Sequence, residues 1–335
     1  MAYDVKVKID LTKPTGAAGF GMPLILIENA KKAIEYTECS YAEDVVKAGV
    51  TSGSVAHKAA QLMYMQHTNP GRISVCAVTG KAAEALADPM LAGKGWRHLI
   101  VVNEGETAST PEELIGAVEK MQGKMLFISL DADDSTSITT TDLRRTVLFY
   151  CTATEDYPVP AAALVGETAG REAGSFTYKN IVLAGIAPQE LSDEQIEAIH
   201  KKGGMTFVAK AGDNVTSEGK VAGGEYIDSI DVEDWVIQQL TYRTQKLLNA
   251  SDKVPYNDVG IAMLEAVAVD VFQTAYNSGM IATTEDGKPD YSVTYALRAE
   301  TSEEDRAKRH YRGGRFRFGL AGAVHTVDIS GEIIV

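Results

Sequence analysis

The chain has 335 residues, of which 45% are hydrophobic and 23% are charged, with 46 acidic side chains against 32 basic ones. This composition is typical of a globular protein of about two domains, and it excludes a mainly disordered chain or a collagen-like repeat. The net charge of −14 also disfavours a protein surface that binds nucleic acid directly.

The N-terminus predicts a half-buried strand. Tyr3, Val5, Val7 and Ile9 alternate with charged residues, which is the period of two that strands show. The following segment, 14–19, is rich in glycine, alanine and proline and reads as a linker. A strand in front of such a linker can pair within its own domain or add to the sheet of a neighbouring molecule.

Short apolar strands and amphipathic helices alternate between residues 20 and 204. Ser40 with Glu43 predicts a capping box for an early helix, and Ser192 with Gln195 predicts another, which Gly203 ends. The predicted strands are 23–27, 73–78, 99–102, 125–130 and 147–150, and the predicted helices lie near 43–49, 55–66, 111–121 and 193–202. Strands separated by helices favour a layered α/β sheet that is largely parallel.

The final third has a different pattern. It predicts strands at 206–210 and 220–228, long helices from Val232 and from Asn257, a charged helix over 301–311, and strands at 316–318 and 323–329. Because the chain then begins and ends in strands, both ends are compatible with a single domain into which the α/β block is inserted.

The three cysteines are Cys39, Cys76 and Cys151, and they form no Cys-x-x-Cys pair. Their odd number and wide spacing indicate neither a disulfide framework nor a zinc site, and a reducing compartment is the simplest interpretation. No segment approaches about 18 consecutive apolar residues, so we expect no membrane insertion. The N-terminus lacks the apolar core of a signal peptide, and synthesis in the cytoplasm is expected.

The sequence contains no phosphate-binding loop, no dinucleotide fingerprint after a strand, no His-Glu-x-x-His and no Gly-x-Ser-x-Gly. Its most enzyme-like feature is Asp131-Ala-Asp133-Asp134, directly after a predicted strand. Carboxylates at the end of a sheet strand can hold Mg²⁺ or Mn²⁺, although a solvated turn explains the same residues. A metal-dependent α/β enzyme that uses Asp131–Asp134 is therefore the alternative function.

Several segments of the second half stand in an order that is typical of one family. They are Ala173-Gly-Ser-Phe-Thr-Tyr178, Val182-Leu-Ala-Gly-Ile186, Gly219-Lys-Val-Ala-Gly-Gly-Glu-Tyr-Ile-Asp228, Lys253-Val-Pro-Tyr-Asn-Asp-Val-Gly-Ile261 and Leu320-Ala-Gly-Ala-Val-His-Thr-Val-Asp-Ile329. This series resembles the tail sheath proteins of contractile phage tails and related phage-tail-like particles. Residues 20–165 match that family only in their α/β character.

The resemblance implies a structural protein without enzymatic activity or cofactor. Its fold would be α/β, with an α+β core domain made from both chain ends and the C-terminal third, and with an inserted α/β domain. The implied divisions are 1–19 for an N-terminal arm and linker, 20–204 for the outward-facing α/β domain, and 205–335 for the core domain with a C-terminal arm.

The family's subunits assemble as stacked hexameric rings around a tail tube, and contraction drives the tube through the target cell envelope for genome ejection. The implied partners are the chain itself, the tail tube protein, and the baseplate and tail terminator proteins, with no direct nucleic acid. The implied location is the virion tail, or a tail-like particle, after synthesis in the host bacterial cytoplasm.

The resemblance also assigns roles to particular residues. The inter-subunit arms would contain Tyr3, Val5, Val7, Ile9, Val324, His325, Val327 and Ile329. The window from Arg306 to Arg317 holds six basic residues and no acidic one. By similarity, Arg306, Lys308, Arg309 and Arg312 are predicted to face the tube, where an acidic partner surface would complement them.

Overall fold

The structure is a computed structural model that describes residues 21–134 and 138–327. Within these ranges the strands are β1 (Pro23–Glu28), β2 (Ile34–Cys39), β3 (Ile73–Ala77), β4 (His98–Asn103), β5 (Met125–Leu130), β6 (Thr146–Tyr150), β7 (Gly204–Lys210), β8 (Asp213–Thr216), β9 (Tyr291–Tyr295) and β10 (Gly314–Phe318). The α-helices are α1 (Ala42–Lys47), α2 (Val55–Met65), α3 (Ala82–Leu86), α4 (Pro89–Ala92), α5 (Pro111–Val118), α6 (Ala161–Ala169), α7 (Asp193–Lys201), α8 (Ile227–Ala250), α9 (Asp258–Asn277) and α10 (Glu303–Ala307).

An eight-stranded sheet, in the order β2-β3-β1-β4-β5-β6-β7-β8, forms most of the molecule. Its six inner strands are parallel, while β2 and β8 pair antiparallel at the two edges. Ile25 and Ile27 of β1 pack into an apolar cluster on one face, and Leu24 and Leu26 pack into a second cluster on the other face. A continuous apolar strand is what a sheet covered on both faces requires. The predicted α/β fold class is confirmed.

Two of the predicted helix starts can be checked against their capping bonds. The box of Ser192 and Gln195 is present, and Gly203 ends the helix region with a φ of +76°. The box at Ser40 and Glu43 is wrong by one residue, because Asp44 Oδ2 accepts the backbone N–H groups of Ser40 and Tyr41. An acid one position later reaches the same orphan donors.

The predicted strand over 220–228 is wrong. Lys220 and Tyr226 form only an isolated antiparallel bridge, and α8 begins at Ile227. Two glycines separate the bridge partners, and Gly224 has a φ of +94°, so the chain turns there instead of extending. β7 pairs with β6 on one side and with β8 on the other, so the large sheet continues past residue 204. The division into domains stays a prediction, and the sheet favours a boundary closer to α8.

The C-terminal region packs two long helices against a small sheet. Val236 of α8 and Val271 of α9 are buried in a third apolar cluster. The ring of Phe272 lies 5.6 Å from that of Tyr291 on β9 and 5.5 Å from that of Phe318 on β10. Among the described helices, α9 alone is long and apolar enough to span a bilayer by composition, and its buried face belongs to this cluster.

Two further predictions near the C-terminus change. The charged helix over 301–311 is shorter, since α10 covers only Glu303–Ala307 and Arg309 takes a left-handed φ of 52°. The strand over 323–329 is not formed in its described part, because residues 321–327 belong to no strand. Residues 328 and 329 lie outside the described ranges.

Candidate assembly surfaces

The segment 321–327 belongs to no strand or helix of the described chain. Leu320 bridges Ile281, and the backbone N–H of Ala321 donates to the carbonyl of Met280 at 3.0 Å. Beyond that point, no backbone–backbone hydrogen bond joins residues 322–327 to the described chain. Val324 is 81% exposed and Val327 is 69% exposed. Unpaired backbone groups beside exposed apolar side chains are the features of a strand that needs a partner.

The other predicted arm residues have different outcomes. Among the predicted arm residues in the described part of this segment, His325 is the one whose side chain lies within hydrogen-bond distance of the body, with Nε2 2.8 Å from Thr177 Oγ1. Tyr3, Val5, Val7, Ile9 and Ile329 lie outside the described residues, and their assignment stays a prediction.

The small sheet of β9 and β10 has open edges. Val293 and Phe318 lie on the face that packs against the helices, whereas Arg315 and Arg317 alternate with them on the opposite face. Neither strand pairs with a third strand within the described part of the chain. Because a two-stranded sheet is at best marginally stable and its edges hold unpaired backbone groups, this sheet is suited to accept additional strands.

Acidic side chains next to the basic window, Arg306 to Arg317, neutralise part of its positive charge in the folded protein. Three acids at the start of α10 stand directly before it, so residues 303–317 hold six basic and three acidic side chains. Lys308 Nζ lies 2.5 Å from Glu304, and Arg312 Nε lies 3.3 Å from Asp305. No carboxylate of the described chain pairs with Arg309, which leaves it the least neutralised of the four predicted tube-facing residues.

Arg306 has a structural role within its own subunit. Its guanidinium donates to the carbonyl of Arg298 at 3.3 Å and to the carbonyl of Thr301, and its side chain is 24% exposed. These bonds close the turn before α10. The sequence pattern predicted Arg306 and Arg309 on the same helix. In the structure Arg306 hydrogen-bonds to backbone carbonyls, whereas Arg309 is exposed to solvent.

A buried charged cluster joins the large sheet to α8. Arg97 and Arg145 stand directly before β4 and β6, and Asp231 and Asp234 lie on the first turns of α8. Asp234 is 2.7 Å from Arg97 Nη1 and 3.0 Å from Arg145 Nη2, while Arg97 also pairs with Asp231. The hydroxyl of Tyr178 donates to Asp231 at 2.9 Å. These five buried residues, the junction cluster, connect elements that are far apart in sequence.

Burial and pairing act in opposite directions in the junction cluster. Burial raises the pKa of Asp231, which meets one arginine. Burial also opposes the charge of Asp234, but Arg97 and Arg145 outweigh it and hold the pKa of that carboxyl below its usual value. Nearby, burial lowers the pKa of Lys124 to about 7, and the charge of Arg97 acts in the same direction. The spacing of three between Asp231 and Asp234 is the sequence signal for a shared helix face.

The acids of the alternative enzyme site do not converge. The Asp131 carboxylate accepts a backbone N–H from Ala153 at 3.3 Å, and the backbone carbonyl of Asp134 accepts Lys202 Nζ at 2.9 Å. In the ranges that the structure describes, no group of three or more potential metal ligands is found. Nothing in those ranges supports a metal centre at Asp131–Asp134.

The comparison with sequence families matches the region that begins at α8. Residues 227–333 match the family described as E217 tail sheath protein gp31-like, C-terminal domain. The region from α8 onward is therefore similar to the C-terminal domain of a tail sheath protein. No curated protein matches the chain in sequence.

The sheath fold extends over the whole chain. A chain of the anti-feeding prophage (AFP) baseplate shares 12% identity, covers 100% of this chain and 99% of its own, and has a TM-score of 0.74. The sheath complex of an extracellular contractile injection system (PVC) in its contracted state shares 10% identity over 99% of this chain and 97% of its own, with a TM-score of 0.72. The sheath tail protein Lin1278 from Listeria innocua shares 11% identity over 83% and 89%, with a TM-score of 0.53. The resemblance drawn from the sequence is thereby confirmed.

Proposed function

We propose that the chain is a structural subunit of a contractile sheath, in a phage tail or a tail-like particle, and that it has no catalytic activity. It polymerises as stacked hexameric rings around a tail tube, between a baseplate and a terminator, and its contraction drives the tube through the target envelope. The observation that carries this proposal is the combination of a segment, 322–327, without backbone pairing and a two-stranded sheet with free edges, in a chain with the sheath fold.

The arms would connect subunits by strand addition. Apart from the carbonyl of His325, which accepts Lys179 Nζ, the backbone of 322–327 offers donors and acceptors that the described chain does not use. The edges of β9 and β10 offer the complementary groups on a neighbour. The N-terminal segment with Tyr3, Val5, Val7 and Ile9 is proposed to occupy another such edge. Paired backbones keep neighbours linked while the angle between subunits changes.

Contraction needs no fuel in this proposal. The extended lattice would be assembled at higher free energy on the tube, and the contracted lattice would bury more contacts between subunits. Within the tube-facing set, Arg309 carries most of the expected attraction, since Lys308 and Arg312 already pair with carboxylates of their own subunit. Exposed pairs of this kind contribute about 0.2–1 kcal/mol each, which permits release when many break together.

Negative-stain microscopy of the purified chain, alone and with its tube protein, tests the proposal. We expect hollow striated cylinders from the full chain. Deletion of residues 1–12 should leave a folded subunit with an unchanged circular dichroism spectrum that forms no cylinders. A full-length chain that stays monomeric with the tube protein and binds Mn²⁺ in calorimetry would favour the enzyme instead.

A further inference from the structure

Within residues 322–327, one residue, His325, hydrogen-bonds to the body of its own subunit. The ring is buried, with only 9% of its side chain exposed, while its neighbours on both sides are exposed. Its Nε2 lies 2.8 Å from Thr177 Oγ1, and its backbone carbonyl accepts Lys179 Nζ at 3.2 Å. The ring also packs against the ring of Tyr226 in a T-shaped arrangement, with the centroids 4.7 Å apart.

We call the residues around this ring, which are Thr177, Lys179, Glu218 and Tyr226, the His325 socket. Glu218 Oε1 stands 3.7 Å from Nδ1 of His325, beyond hydrogen-bond distance. The socket therefore combines a hydroxyl, an ammonium group, an aromatic ring and a nearby carboxylate. These four residues come from two separate loops that precede α7 and α8, which gives the segment a fixed point on the body of the protein.

The docked histidine divides the segment into two parts. On the N-terminal side, residues 321–324 run between Ala321, bonded to Met280, and the socket, so both of their ends are held. On the C-terminal side, Thr326 and Val327 are exposed and make no hydrogen bond to the described chain. Only the part beyond His325 is free to change direction without breaking a contact.

We propose that the His325 socket is the binding site for the root of the C-terminal arm, and that the root stays docked on its own subunit when the arm beyond it pairs with a second copy of this chain. This inference rests on the proposed sheath function and specifies where the arm pivots. The pivot would lie directly after His325, although Gly319 and Gly322 precede it in the same segment.

The first test measures docking on the isolated subunit. Thermolysin cleaves before exposed apolar residues, and Val324 stands beside the anchor. Replacement of His325→Ala should increase the cleavage rate within 321–327 by at least about tenfold, since a local contact no longer opposes opening. His325→Gln, which can still donate to Thr177, should recover part of the protection. Thr326→Ala is the matched control, because this side chain is exposed and makes no hydrogen bond within the described chain. Equal cleavage of the His325→Ala and Thr326→Ala variants would overturn the proposal.

The second test asks whether the root must leave the socket during assembly. Cysteines at Asn180→Cys and Val324→Cys, two exposed positions outside the socket, would be joined by a short bismaleimide, while His325 and Lys179 are retained. The three native cysteines are buried and should react slowly. We expect the cross-linked subunit to polymerise with the tube protein at a critical concentration within about twofold of the unlinked double variant.

The outcomes of the second test are distinct. If the cross-linked subunit forms no cylinders while the unlinked variant does, the root has to undock, and the inference is wrong although the sheath function stands. If the unmodified chain forms no cylinders, the proposed function fails, and the thermolysin comparison alone decides whether His325 anchors the segment.

Discussion

Replacement of Asp234→Ala should destabilise the protein strongly through the junction cluster. Asp234 is 2% exposed and contacts both Arg97 and Arg145, so its loss leaves two buried guanidinium groups with a single carboxylate partner. Removal of one partner from a buried ion pair costs about 3–5 kcal/mol. With an unfolding entropy of about 2.1 cal/mol/K per residue, the expected decrease in melting temperature is about 4–7 °C.

The adjacent residue provides the matched control. Glu233 also pairs with an arginine, Arg144, at 2.8 Å, but both side chains are about a third or more exposed. Glu233→Ala should therefore cost less than about 1 kcal/mol, which is a decrease of about 1.5 °C or less. Both variants would be measured by differential scanning calorimetry and by urea denaturation followed by circular dichroism.

The pH dependence adds a second measurement. Because the pKa of Asp234 is lowered in the folded state, its contribution is complete above the unfolded value of about 3.9 and is lost as the pH falls through the folded value. The difference between wild type and Asp234→Ala should persist from about pH 5 to 8 and diminish below about pH 4. Equal losses for the Asp234→Ala and Glu233→Ala variants at neutral pH would refute the reasoning from buried charge.

Three further outcomes are expected. Gly166→Ala should cost about 1–3 kcal/mol because a Cβ there would lie 2.5 Å from a backbone atom of α2, whereas Gly116→Ala, at an open helix position, should add about 0.5–1 kcal/mol; thermal melts compare the two, and equal signs would contradict the packing argument. Burial lowers the pKa of Lys124 to about 7 in the folded state, so between about pH 7 and 10 the unfolded chain binds one proton more than the folded chain. The free energy of unfolding should therefore rise by up to about 1.4 kcal/mol per pH unit in this range, and Lys124→Met should remove that rise. Urea titrations at several pH values measure it, and the same pH dependence of the free energy of unfolding in wild type and variant would contradict this prediction. Arg309→Glu should weaken co-sedimentation with the tube protein more than Lys308→Glu does, since Lys308 is already paired, and the opposite order would remove Arg309 from the tube-facing set.

The sequence patterns predicted the inner sheet and the long helices because apolar residues recur there at regular positions over the whole length of each element. The apolar run of β1 and the stripe of α9 both recur often enough to identify their elements. The strand β2 was missed because an edge strand needs no apolar face, and its burial pattern is mixed. The helix α6 was missed because its all-round burial removes the amphipathic period.

The assembly surfaces were less predictable for two physical reasons. The arm residue His325 is docked by Thr177 and Lys179, which lie almost 150 positions away, and no local pattern reports such a contact. The charge of the basic window depends on Glu304 and Asp305, which stand just before it in sequence but point back toward it in the fold. Sequence periodicity identifies the buried face of a helix or strand. Hydrogen bonds and ion pairs between side chains of different elements can be assigned only from the three-dimensional structure.

The junction cluster limits how this protein can exchange parts with its relatives. Its arginines belong to the large sheet, and its aspartates belong to the region that matches the sheath family. A chimaera that takes residues 20–204 from another protein would bring foreign residues opposite Asp231 and Asp234 and leave those carboxylates buried without counter-ions. Recombination between such proteins should therefore succeed only when both halves of the cluster are transferred together, or when both are replaced by apolar residues of similar volume.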